Sequence, residues 1–409
     1  MLDVRPRRGN RRIIWWIVGV FAVLALAGGA WWWVDHDAQN KNQDTSSTPI
    51  LQTKVPKPTV ISSNTLMLGN TFWGRYINDW SMESPLKYEY PFSRLHEFQR
   101  ETYDAWISGL ECPTASGVHM TSAEMEVALQ FNCSPEYLPE AAKWFTVFSL
   151  ANNHTDNQGV EGFNETQALL DKHKIQYFGH YDPRALDDLC DVISLPVTVS
   201  LDNHDEKKGQ LPVAMCGYHG VFRIPSDESL AIMEEYSKYM PVIAFPHMGV
   251  EYQPAPDQLK TSVYRSMIDH GADMVIGDHP HWIQNSESYK GHLIVYSMGN
   301  FIFDQQGSTE LTRSAAIRVV MKSDSTDSQL MNKWLSIGKE CASYHDDCLQ
   351  KIISQDLAKL PMTYEFGVIG TDDSGKIVKP ATSEQQASIL QRLNWQATMD
   401  QLQAPYGSL

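Results

Sequence analysis

The chain has few basic residues, no CxxC pair and a single long hydrophobic run, and each scarcity narrows what it can be. Lys and Arg total 33 against 49 Asp and Glu, a formal charge of −16 at pH 7. Without a basic excess the polyphosphate backbone of a nucleic acid has no counterpart, so no nucleic-acid partner is expected. The acidity reads first as a solubility device. Six cysteines at 112, 133, 190, 216, 341 and 348 lack CxxC spacing, which argues against a structural zinc site or a thioredoxin-like motif. Their even number allows disulfides, with Cys341/Cys348 and Cys112/Cys133 the locally closest pairs. Several connectivities remain open from the sequence alone. From Thr65 onward no repeat or low-complexity segment interrupts the pattern.

The one long apolar run, Ile13 to Val34, is rich in Trp and follows MLDVRPRRGNRR, with five Arg and one Asp. At about 1.5 Å per residue it crosses a bilayer core of about 30 Å. Arg before the run and Asp35 and Asp37 after it predict a single-pass membrane anchor, with a cytoplasmic basic tail at 1–12 and the main domain outside the membrane. Trp15, Trp16 and Trp31 to Trp33 fall at the two interfaces. A cleaved signal peptide is the alternative, but the length of the span and the Trp triplet favour an uncleaved anchor. Residues 35–64, polar and without apolar periodicity, read as a linker.

The body, expected over 65–380, alternates short apolar runs with helical patterns, which predicts an α/β fold with sheet strands covered by helices. Helices are expected over Gly162 to Lys174, after a Ser226 cap, and over Asp257 to His270 with a stop at Gly271. A polar, helical insertion is expected over 323–361, a hairpin over Met362 to Pro380, and a terminal helix and tail over 381–409. The apolar runs end repeatedly in residues capable of chemistry: Asn70, then Asn153 and His154, then His247 and Glu251, then His279 and His281. Ligands in such folds lie beyond the carboxyl ends of the strands. Four strand ends carrying such residues predict one convergent site.

Neutral imidazoles with amides or carboxylates suit a divalent ion such as manganese, zinc or iron. His279-Pro280-His281 is the sharpest element, read as two imidazoles pointing the same way from an extended loop. A lone histidine is more often a hydrogen-bonded structural residue, yet His247, His279, His281 and Asn153-His154 together favour metal.

These residues resemble the poly-γ-glutamate capsule biosynthesis (CapA) family, a branch of the calcineurin-like metallophosphoesterase superfamily. The resemblance runs from Leu66 to Gln305 through LGNTFWGR (Leu68 to Arg75), DAWISGLECPT (Asp104 to Thr114), SLANNHTDNQGVEG (Ser149 to Gly162), PHMGVEY (Pro246 to Tyr252), GDHPHWIQ and YSMGNFIFDQ. It implies a four-layer αββα sandwich of two mixed sheets, preceded by the one transmembrane helix. It also implies metal ligands at Asn70, Asn153, His247, His279 and His281, a general acid at His154, a supporting carboxylate at Glu111 and an anion clamp at Arg75. Glu251 is read as a substrate or supporting contact, and Asn300 and Asp304 as braces. Two positions depart from the family pattern: Asn70 stands for Asp, and Gly109 for the Asn before Leu-Glu. Loss of the Asp weakens any hold on metal.

Three functions are weighed. The first is assembly or export of an anionic surface polymer such as poly-γ-glutamate, alongside membrane-bound polymer synthase subunits. The second is metal-dependent hydrolysis of phosphoesters or amides, and the third is a binding domain whose catalysis has lapsed.

Overall fold

A computed structural model describes residues 55–342 and 347–409. The membrane span expected at 13–34 lies outside the described residues, among which no helix is long and apolar enough to cross a membrane. Residues Val55 to Leu409 form one compact unit.

In chain order the strands begin with β1 (Pro58–Thr71), β2 (Ala105–Leu110), β3 (Val147–Ser149), β4 (Gln176–Phe178) and β5 (Cys190–Leu201). They continue with β6 (Glu206–His219), β7 (Val242–His247), β8 (Met274–Ile276), β9 (Gln284–Tyr289) and β10 (His292–Ser297). The last are β11 (Asn300–Ile302), β12 (Arg313–Ser323), β13 (Thr363–Asp372), β14 (Lys379–Pro380) and β15 (Tyr406–Ser408). All hydrogen-bond into one mixed network, so the two separate sheets of the expectation are joined.

The joint is β1. Its first half pairs antiparallel with β5, and its second half pairs parallel with β2, while β12 runs antiparallel along its middle, Ile61 to Met67. One branch continues through parallel β2, β3 and β4. The other runs from β5 to antiparallel β6, then through parallel β6, β7, β8 and β10. Two parallel series therefore fan out from one strand.

Strand alternation explains how the first branch is buried on both faces. Met67, Ile107 and Val147 face a core shared with β5 to β8 and β10, while Leu66, Leu68, Trp106 and Phe148 face Trp73, Phe92 and Phe145. Burying each large apolar side chain contributes about 1.5–3 kcal/mol.

β1 corrects the linker boundary, because it starts at Pro58 inside the stretch read as linker. Its β-branched Thr59, Val60 and Ile61 suit a strand, and its polar Ser63 is buried with its hydroxyl on the Pro196 carbonyl at 3.1 Å. Helices occupy Gly159–Lys172, Asp227–Ser237 and Gln258–Asp269. Ser226 and Asp257 cap the last two through their side chains, and Gly271 (φ 98°) follows the third. The stretch after β12 holds helices Ser328–Cys341 and Cys348–Gln355, and the terminal helix is broken at Asn394 (φ 54°) into Ser383–Leu393 and Trp395–Met399.

The disulfides are Cys112–Cys133, Cys190–Cys216 and Cys341–Cys348. The second joins residues directly opposite each other on β5 and β6.

Candidate functional site

The site is assembled where the strands stop. Asn70 is the penultimate residue of β1, Glu111 follows β2, Asn152 to His154 follow β3, His219 ends β6, His247 ends β7, and Asp278 to His281 follow β8. Close backbone approach sets part of the geometry. A Cβ at Gly69 would meet the Gly299 carbonyl oxygen at 1.9 Å, so only glycine lets β1 pack against the loop before β11. That approach places Asn70 beside Asn300, its register partner.

Backbone strain collects here. Arg75 (φ 39°), Tyr252 (φ 58°), His279 (φ 95°) and His281 (φ 61°) all have positive φ, a state costing of order 1 kcal/mol or more per non-glycine residue. The His-Pro-His segment is therefore not the extended loop of the sequence reading. Its two rings turn to different partners with centroids 6.2 Å apart.

His279 joins the inner group. Its Nδ1 lies 3.1 Å from His247 Nε2, which also stands 2.8 Å from Asn153 Oδ1, and Asn152 Nδ2 lies 3.1 Å from the same nitrogen. His281 joins an outer group, with Nδ1 2.8 Å from Asn300 Oδ1 and 3.3 Å from Asn70 Nδ2. The five expected ligands thus divide into Asn153, His247 and His279 on one side and Asn70 and His281 on the other.

Several buried acceptors beside these groups lack a hydrogen bond: Asn70 Oδ1, Glu111 Oε2, His219 Nε2 and both oxygens of Asp278. Lone pairs left bare in this way are costly and invite a proton or a cation. The inner donors have spacings that fit one ion held by two imidazoles and an amide oxygen. Yet no group of three or more His, Cys, Asp or Glu suited to a metal exists among the described residues. The residues present therefore fit only a weakly held ion with neutral ligands.

Burial pushes the titratable groups in opposite directions. His154 and His281 are each lowered to about 4, first by desolvation. Glu111 is raised well above the carboxylate range by desolvation, then by Asp278 and Glu251. Burial thus favours the protonated form of Glu111 and the neutral form of His154. The His154 Nδ1–H donates to Asn157 Oδ1 at 2.9 Å, a tautomer assigned from the hydrogen-bond network, which leaves Nε2 as an acceptor. These shifts run opposite to the general-acid role expected of His154 and the supporting carboxylate expected of Glu111.

Arg75 is not a free clamp. Its Nε and Nη2 bind Asp304 at 2.9 and 2.6 Å, and the guanidinium lies 4.4 Å from the centre of the Phe131 ring. Phe131 stacks on His154 at 4.0 Å. The Cys112–Cys133 disulfide stands next to Glu111 and two residues from Phe131, tying the two walls together. Arg75, Glu111, Phe131, His154, Tyr252 and His281 are among the residues lining an open cavity of about 600 Å³. Glu251 is also on its wall, with its side chain 41% exposed.

Two residues, Asn152 and His219, escaped the sequence reading, and Asp278 stood in the GDHPHWIQ stretch without an assigned role. Asn152, rather than Asn153 alone, touches His247 and Glu111. Asp278 is fully buried, and its carboxyl is raised well above the usual range by desolvation although the His279 N–H and Lys260 oppose this. Gly109 leaves room beside it, since a Cβ there would lie 3.3 Å from Asp278 Oδ2. His219 is buried with Nδ1 on the Tyr181 carbonyl at 2.5 Å. The run LPVAMCGYH, another apolar stretch ending in His, was its available signal.

A family model described as bacterial capsule synthesis protein PGA_cap matches residues 64–197 and 202–305, more than half of the chain. The PGA biosynthesis protein CapA of Bacillus subtilis (strain 168) is 27% identical over 285 residues, 67% of this chain and 72% of that protein. The capsule biosynthesis protein CapA of Bacillus anthracis is 28% identical over 193 residues, 44% of this chain and 46% of its own length. A crystal structure of a Thermus thermophilus protein aligns at 13% identity with a TM-score of 0.33, covering 62% of this chain and 93% of that one. With every stretch from β1 to Gln305 that carries the cavity inside the matched range, the chain belongs to the bacterial capsule synthesis PGA_cap family.

Proposed function

We propose that this chain acts in the synthesis, assembly or export of an anionic capsule polymer such as poly-γ-glutamate, and that the strand-end cavity is its working site. The observation that carries the reading is the convergence of the family-motif residues Glu111, Asn153, His154 and His281 on one cavity, with His247 bonded to Asn153 behind it and His279 bonded to His247. The relatives named CapA support the process.

The finer parts of the proposal are a single-pass anchor at 13–34, an extracytoplasmic domain, membrane-bound synthase subunits as partners, and a four-layer metallophosphoesterase-like sandwich. Three disulfides support an oxidising compartment. The two parallel series that fan from β1, each with helices against it, support the layering.

A metal-dependent hydrolase is the second reading, favoured by the opposite directions in which burial shifts Glu111 and His154. Asn153, His247 and His279 would hold the ion, which when bound supplies Lewis acidity and an activated water. His154 Nε2 accepts a proton, and Glu111 delivers one to a leaving atom. The third reading, a binding domain without catalysis, is favoured by the neutral amide at Asn70.

Cells in which His279 and His281 are both replaced by Ala are expected to lose surface polymer while the protein is still made. Unchanged polymer would overturn the proposed role. Hydrolysis of a generic phosphodiester under added manganese, lost on His247→Ala, would select the hydrolase reading.

A further inference from the structure

The outer part of the cavity gathers acceptors that no cation answers. His281 uses its Nδ1–H on Asn300 Oδ1 at 2.8 Å, so its Nε2 presents a lone pair. Two carboxyl groups approach that nitrogen, Glu111 Oε1 at 3.6 Å and Glu251 Oε1 at 3.9 Å. Glu111 is 1% exposed, lies on the cavity wall, and its Oε2 has no hydrogen-bond partner. Asp156 and Glu126 add two more carboxyl groups to the lining. The one lining Lys or Arg, Arg75, is already neutralised by its two bonds to Asp304. The cavity therefore faces its ligand with uncompensated negative charge, which repels the repeated carboxylates of a polyanion.

A group that answers three acceptors at once carries three N–H donors and one positive charge. An –NH3+ does both. Exposed aromatic surface at the mouth, Phe222 (77% exposed) and Tyr252 (39% exposed), suits such a cation as well.

We propose that the cavity binds a primary ammonium group, received by Glu111, Glu251 and the Nε2 of His281. Taken with the polymer reading above, on which only this last step rests, the group is the free amino end of a polyamide chain. The site then holds a chain terminus and keeps the repeating carboxylates outside.

The test is calorimetry on the full-length protein in detergent with EDTA present, using three probes: a short γ-glutamyl oligomer with a free amino end, its N-acetylated form, and n-propylammonium. The free-amine oligomer is expected to bind about tenfold more tightly than the acetylated one, the worth of one charge-assisted contact. Glu251→Gln, at a half-exposed position that folding tolerates, is expected to erase most of that difference, as is Glu111→Gln. Equal affinity for the two oligomers would overturn the proposal and leave the polymer reading standing. If neither oligomer binds but propylammonium does, and Glu251→Gln weakens it, the ammonium site stands and the polymer reading falls. Failure of all three probes, or manganese binding in the absence of EDTA that Glu111→Gln abolishes while propylammonium never binds, would overturn it as well.

Discussion

Two aspartates bracket the short strand β8, and they have opposite surroundings. Asp273, just before the strand, accepts the Val242 N–H at 2.8 Å and the Tyr406 hydroxyl at 3.4 Å. Asp278, two residues past the strand, is fully buried and has neither oxygen hydrogen-bonded. The same division holds for histidines. His292, at the start of β10, uses Nδ1 on the Asp273 carbonyl at 3.0 Å and the Tyr406 hydroxyl at 2.8 Å. His281, past the other end of β8, keeps an acceptor turned toward two carboxyl groups. Polar groups at the amino ends of these strands are satisfied and hold the fold. At the carboxyl ends, where parallel sheets place their ligands, strained backbone carries unsatisfied groups.

The comparison is broken most strongly by a rim group that is ion-paired. Asp304→Ala leaves the Arg75 guanidinium buried without its partner and is expected to cost about 3–5 kcal/mol in denaturant unfolding. The double change Arg75→Met with Asp304→Leu should recover most of that loss. At the satisfied end, Asp273→Ala strands the Val242 N–H and the Tyr406 hydroxyl and should cost about 2–3 kcal/mol.

The rim histidines sharpen the comparison through pH. His154 and His281 have folded pKa values of about 4, below the unfolded value, so the unfolded chain binds more protons between the two. Stability therefore rises with pH across that window and is lost as pH falls from about 6.5 to 4. The loss is at most about 3 kcal/mol per imidazole, and His154→Gln should flatten the slope of unfolding free energy against pH. The smallest stability effect is expected at Asp278→Asn. With no side-chain partner to lose, and an amide oxygen still able to face the His279 N–H, it should leave the melting temperature unchanged or raise it by about 1–3 °C.

Much of this division was legible in the sequence. The apolar runs ending at Asn70, Asn153, His247 and His281 marked the carboxyl ends of β1, β3, β7 and β8, and their convergence followed from the α/β pattern. The capped helices after Ser226 and Asp257 were legible because side-chain capping is a local interaction. Strand β1 was half missed, since Pro58 to Asn64 looks polar until Ser63 meets the Pro196 carbonyl, a contact across 133 residues. The joining of the sheets depends on which neighbours β1 finds, which no local pattern encodes. Proton ownership was also hidden. His154 reads as an acid and Glu111 as a carboxylate, whereas burial pushes the first toward its neutral form and the second toward its protonated form.

The measurement that bears most directly on the account compares His281→Gln with His292→Gln in the same cells, reading surface polymer per folded protein together with the melting temperature. The expected result is that His281→Gln folds with little change in melting temperature and loses surface polymer, whereas His292→Gln melts lower and keeps its polymer yield. Wild-type polymer from His281→Gln, or polymer lost only in proportion to stability in both variants, would contradict the assignment of the carboxyl-end rim as the working site.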